Sequence, residues 1–164
     1  DLAIGPLPQL TAGFFQRRLF RQRYVCLFRS GHALGARRRL SLQDFRAAEH
    51  LVVVAAGTGH GRVDELIRRA GIERAVRLTV PHFVGVGHIL QGTDLVATVT
   101  EKLAERLAGP FGLTYLPHPV KLPEVAINAF WHAKAHRSSA NQWLRRVVFE
   151  LFDEGTDLSA ARTS

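Results

Sequence analysis

Two long extended runs, residues 19–29 and 124–134, enclose the middle of this 164-residue chain. That bracket limits the folds open to it more than any other feature. Between the runs, short β-branched segments alternate with amphipathic ones. His50–Ala55 reads as a buried strand, as do Val76–Val80, Asp94–Val99 and Leu113–Leu116. Helices are expected over 62–70, where Val63, Leu66, Ile67 and Ala70 fall at i, i+3, i+4 and i+7. Further helices are expected over 83–91 and 101–107, and a short one opens at Ser41, a plausible cap with Asp44 three residues on. Alternating strands and helices predict a mainly parallel sheet with helices on both faces. A sheet domain entered and left by long strands is what two lobes joined by crossovers require, with ligands bound between them.

The first run also carries a chemical asymmetry. Read as one strand from Phe14 to Phe28, it places Phe20, Gln22, Tyr24, Cys26 and Phe28 on one face. Arg21, Arg23 and Arg29 share the other with Leu19, Val25 and Leu27. A lone amide in an aromatic row is either an awkward core residue or the one orienting group of an apolar pocket. At the ends of the chain, Asp1–Gly5 is expected to form a short strand and Ser30–Arg39 a polar loop. Val125–Lys134 is the returning extended run. A final helix 142–152 is expected to be capped by Asn141, with Trp143, Leu144, Val147, Val148 and Leu151 as its apolar stripe. Residues 153–164 read as a polar tail.

Composition narrows the class. Apolar content of 46% with 22% charged residues fits an ordinary globular core. No apolar run approaches the ~20 residues of a membrane span. A single cysteine, Cys26, excludes an internal disulfide framework and fits a reducing compartment. The net charge of +8 invites a nucleic-acid reading, yet the 19 arginines are scattered, which argues for solvated faces. The chain has no methionine and opens on a sheet-like run, so it is expected to be part of a longer product.

Several strings, taken together in order and spacing, resemble a known family. Asp1–Gly5, Leu27-Phe28-Arg29-Ser30-Gly31-His32-Ala33-Leu34 and Ser41-Leu42-Gln43-Asp44-Phe45 look like the effector-binding domain of LysR-type transcriptional regulators. Gly13–Phe20, Gly57-Thr58-Gly59-His60-Gly61, Val80-Pro81-His82-Phe83 and Ile127–Lys134 look like the branch that senses salicylate and nitroaromatic compounds. The likeness runs from residue 1 to about 152. It implies a fold like the type II periplasmic binding proteins, α/β with two lobes joined by two crossover strands. Residues 1–22 and 124–152 would form an incomplete lobe I and residues 23–123 lobe II. It further implies a cytoplasmic homodimer or homotetramer that meets DNA only through a winged helix-turn-helix outside this sequence, with no membrane partner and no cofactor.

Carried over position by position, the branch's inducer pocket falls on Phe20, Gln22, Thr58, His60 and Ile127. Physical chemistry supports several of these. Phe20 and Gln22 share a strand face, and Thr58 and His60 sit on a glycine-rich turn before a helix, where free N–H groups favour a carboxylate or nitro group. His82 precedes a second expected helix and is a further candidate. The branch's salicylate-sensing members carry histidine where Gln22 stands. Glutamine cannot become a cation, which points to a neutral effector or a different benzoate.

Other constellations carry less. Lys102 is expected to be solvated and His88 to be a satisfied core residue. His132 and His136 lack nearby cysteines or carboxylates to complete a zinc set. Gly57-x-Gly59-x-Gly61 lacks the Gly-Lys-Ser/Thr of a phosphate loop, and nothing resembles a nucleophile elbow. The alternatives are a small α/β enzyme acting on an aromatic or phosphorylated substrate, which turnover would reveal, and a transport-type solute-binding protein, which would need an export signal.

Overall fold

The structure, a computed structural model, describes residues 2–7, 10, 12–54 and 61–152, with the backbone alone at 61 and 62. The strands are β1 (Ala3–Gly5), β2 (Phe14–Gln22), β3 (Tyr24–Arg29), β4 (Glu49–Val53), β5 (Ala75–Val80), β6 (Leu95–Thr100), β7 (Leu113–Pro117) and β8 (Val125–His132). The helices are α1 (Leu42–Ala47), α2 (Gly61–Arg69), α3 (Val86–Gln91), α4 (Glu101–Phe111) and α5 (Ser139–Phe152). The chain divides into two compact units, Asp1–Arg21 with Ala126–Ser164, and Gln22–Val125.

The second unit is built on a five-stranded sheet in the order β5-β4-β6-β3-β7. It is mixed rather than mainly parallel. β4 runs parallel to β5 and β6, whereas β3 runs antiparallel to both β6 and β7. The reason is that β3 enters from outside the alternating βα series, so no crossover helix fixes its direction. The expected cover on both faces is present. On one face Val25, Leu27, Leu51, Val53, Ala97 and Val99 pack with Val86 and Leu90 of α3 and Ala104 of α4. On the other, Phe45 of α1 meets His50 edge-on at 4.6 Å.

Local sequence sets several of these elements. Ser41 and Asp44 form a reciprocal capping box, Asp44 N donating to Ser41 Oγ at 3.0 Å and Ser41 N to Asp44 Oδ2 at 3.2 Å. The Ser41 hydroxyl, donating to Asp44 Oδ2 at 2.6 Å, and after it the Ser41 N–H hold the Asp44 carboxyl below its usual range. α4 ends at Gly112, which adopts the left-handed φ of +61° that glycine tolerates. Gly87 of α3 is required for another reason, because a Cβ there would lie 2.6 Å from Phe111 Cδ2. Gly87→Ala is expected to cost about 1–3 kcal/mol by overpacking. Urea denaturation checks this; a loss under about 0.5 kcal/mol would show that Phe111 swings aside freely.

The first extended run is not one strand. β2 and β3 belong to different sheets, and Arg23 stands between them. Its guanidinium donates to Glu101 at 2.9 and 2.6 Å, and its carbonyl accepts from Glu101 N at 3.0 Å. The tie to the start of α4 takes Arg23 out of the ladder. The aromatic row expected from Phe20 to Phe28 is therefore split, with Phe20 and Gln22 on β2 and Tyr24, Cys26 and Phe28 buried on β3.

The first unit has a three-stranded sheet, β1-β8-β2, with β8 central. β1 pairs antiparallel to β8, with Ile4 opposite Ala129. α5 begins at Ser139, so Asn141 lies inside it rather than capping it. Its buried residues are Asn141, Arg145 and Val148, while Trp143, Leu144 and Leu151 are exposed, contrary to the expected stripe. Arg145 can be buried because its polar atoms are satisfied. It bonds Asn141 Oδ1, donates to the His136 carbonyl at 3.0 Å, and lays its guanidinium 4.7 Å over the Trp131 ring.

Candidate functional site

Phe20 and Gln22 share a face of β2, as alternation requires. Phe20 is half-buried and stacks on Phe152 of α5, with centroids 5.4 Å apart and planes 28° apart. Around it the first unit forms an open concavity of about 400 Å³, lined by Arg17, Arg18, Leu19, Phe20, Arg21, Phe149 and Phe152. That volume suits a small organic ligand. Arg17 lies 4.1 Å over the Phe149 ring, which orients its guanidinium. Three arginines and three phenylalanines line it, residue types that can receive an aromatic anion. Sequence reasoning passed over these arginines as solvated, and missed Phe149 and Phe152. The available signal was apolar residues three apart on the same expected helix.

The side-chain oxygen of Gln22 is shielded from solvent and has no hydrogen-bond partner. Ile127 is buried in β8 of the first unit. Thr58 and His60 lie outside the described residues. His82 is exposed on the turn before α3, and the helix N-terminus is at Gly85 rather than beside it. Phe20 and Ile127 thus belong to one unit, Gln22 and His82 to the other.

A cavity of about 20 Å³, bounded in part by Tyr24, Thr98, Asp64 and Arg74, has room for one water and none for an aromatic ring. Arg74 is buried and paired with Asp64. Close by, His50 Nε2 donates to the Phe45 carbonyl at 2.7 Å, and His118 Nε2 meets Thr98 Oγ1 at 3.2 Å. Burial pushes the Tyr24 hydroxyl up to about 12 and raises the Cys26 thiol, with nearby Arg74 opposing the latter. Burial also lowers both imidazoles, His118 to about 4. These groups are locked neutral and serve packing.

The other histidines differ from expectation. His88 is exposed, edge-on to Phe111 at 4.7 Å, rather than in the core. His132 closes β8 and accepts from Lys134 N at 3.1 Å, while His136 follows a turn and accepts from Trp131 Nε1 at 3.1 Å. Lys102 is exposed on α4.

Two linked units, each with its own sheet, and a ligand-sized basic and aromatic concavity define a sensor-like α/β protein. Residues 1–153 match the model of the LysR substrate binding domain, and the chain belongs to that family. It is 58% identical over 154 residues to the HTH-type transcriptional activator NagR of a Ralstonia species, covering 94% of this chain and 51% of the activator. It is 57% identical over 154 residues to the HTH-type transcriptional activator NahR of Pseudomonas putida, with the same shares. The chain thus spans about half the length of these two activators. The solved regulatory domain of MexT, a transcriptional activator in Pseudomonas aeruginosa, superimposes with a TM-score of 0.75 at 30% identity, over 92% of this chain and 73% of that one. The fold is therefore that of a LysR regulatory domain, two-sheeted and like the periplasmic binding proteins. Among the described residues no helix is long and apolar enough to cross a membrane.

Proposed function

We propose that this chain is the effector-binding part of a LysR-type transcription regulator and that its effector is a small aromatic compound of the benzoate, salicylate or nitroaromatic kind. The observation that carries this is the identity of 58% and 57% to two helix-turn-helix activators across 94% of the chain. Phe20 and Ile127 would supply apolar walls, and Gln22, Thr58 and His60 would orient polar groups, with His82 as a further candidate. The arginines beside Phe20 would supply the positive field that Gln22 cannot, which favours an anionic aromatic. A division into two compact units, at Arg21/Gln22 and Val125/Ala126, supports two lobes close to residues 1–22 with 124–152 and 23–123.

Ligand binding would bias an equilibrium between conformations, and a homodimer or homotetramer would pass that bias to winged helix-turn-helix domains outside this sequence. Such a regulator would work in the cytoplasm, where its DNA is. Thermal denaturation of the 164-residue chain with benzoate, salicylate and 2-nitrotoluene tests the reading. A ligand at ~100 times its Kd is expected to add about 2.7 kcal/mol of stability and raise the midpoint by several degrees. No shift with any aromatic, together with turnover of an aromatic or phosphorylated substrate, would replace this reading with an enzyme.

A further inference from the structure

We propose that α5 is a homodimer interface, in which the helices of two copies pack antiparallel through an exposed apolar stripe centred on Val147. The inference rests on the homo-oligomer in the reading above and assigns it a surface. Trp143 is 63% exposed, Leu151 46% and Leu144 37%, and Val147 among them is half-buried. Apolar side chains that adjoin one another on one helix make a patch, unlike the scattered singles of an ordinary surface. Trp143, Val147 and Leu151 fall at i, i+4 and i+8, which lines them up along one side of α5. A different side, carrying Asn141, Arg145 and Val148, is the buried one.

The symmetry of the stripe selects its occupant. A two-fold contact needs a surface that complements itself. Turned end for end about Val147, the stripe sets Trp143 of one copy against Leu151 of the other, and Val147 against Val147. Charge favours the antiparallel sense. Arg146 and Glu150, both exposed, stand four apart on the flank next to Trp143. Antiparallel packing brings Arg146 of one copy towards Glu150 of the other, whereas parallel packing sets like charges side by side. Phe149 stands about 160° round the helix from both Val147 and Leu151, so the pairing leaves the concavity it lines uncovered. A 14-residue helix is about 21 Å long, which puts the contact at the small end of specific interfaces and its Kd at about 1–100 µM.

Sedimentation equilibrium of the 164-residue chain, at concentrations from about 5 to 500 µM, tests this. The chain is expected to dimerise, and Trp143→Glu to weaken the dimer about tenfold or more by setting charge in the contact. Circular dichroism should show that variant folded, because Trp143 is exposed. Val147→Cys reads the geometry: under mild oxidant it is expected to form a disulfide across the two-fold axis. Val84→Cys, at a side chain 87% exposed in the other unit, is expected to cross-link only by collision, and the buried Cys26 takes no part. A monomer across the range overturns the proposal and leaves the stripe to chain outside this sequence or to another protein. A dimer untouched by Trp143→Glu overturns the interface but not the homo-oligomer. Val147→Cys linking no faster than Val84→Cys does the same. Effector binding is read separately by the thermal shifts above, so its failure is distinguishable from each of these.

Discussion

Phe45→Ala is expected to lose about 3–5 kcal/mol of stability, the range for deleting a fully buried aromatic ring. Phe45 is 0% exposed. Its ring is met edge-on by His50 at 4.6 Å and by His118 at 4.8 Å, and the Arg74 guanidinium lies 5.9 Å from its centre. Its carbonyl bonds His50 Nε2 at 2.7 Å. Removing the ring takes a wall from the buried His50, the half-buried His118 and the Arg74 side chain at once, so the site cannot collapse without stranding polar groups. Urea denaturation reads the effect. Phe45→Leu should lose less, and Val84→Ala, at a side chain 87% exposed, should change stability by under about 0.5 kcal/mol. A loss below about 1 kcal/mol for Phe45→Ala would contradict the packing described.

The second large effect is acid destabilisation through His118. Burial lowers its pKa from the ordinary 6.5 to about 4 in the folded protein. The folded state therefore refuses a proton that the unfolded chain accepts, and stability is full above pH 6.5. It is lost as pH falls from 6.5 towards 4, where the folded imidazole titrates too and the loss levels off. A difference of about 2.5 pH units (6.5 less 4) corresponds to roughly 3 kcal/mol. His50, lowered mainly by burial, pushes in the same direction. Asp44 acts at lower pH, since its capped carboxylate contributes stability above the ordinary carboxylate pKa of 3.8 and loses it below. Denaturation midpoints from pH 7.5 to 4.5 should fall steadily for the wild type and more shallowly for His118→Gln. Parallel profiles for the two proteins would contradict the assignment.

Much of the fold was legible because its determinants are local. The Ser41–Asp44 box is fixed by four consecutive residues, and the spacing of Val63, Leu66 and Ile67 announces α2. What was not legible depends on distant partners. Alternation runs unbroken through Arg23, and only the tie to Glu101 shows that the strand ends there. The buried face of α5 was misjudged because hydrophobicity is a poor guide to Arg145, whose burial depends on Trp131 and His136. Around the candidate site, Phe20 and Gln22 followed from strand period alone. The stack of Phe20 on Phe152 and the orientation of Arg17 by Phe149 needed the tertiary structure. Family resemblance supplied Ile127, which no pattern within β8 would single out.

The central claim is that this chain binds a small aromatic effector at a site that includes Phe20. Titration calorimetry of the wild-type chain and of Phe20→Ala, with the tighter-binding of benzoate and salicylate, tests it most directly. The expected result is saturable one-to-one binding that weakens by about 1.5–3 kcal/mol in Phe20→Ala, the worth of one buried aromatic wall. Undiminished affinity in Phe20→Ala would contradict the placement of the site, and no saturable heat from any aromatic would contradict the claim itself.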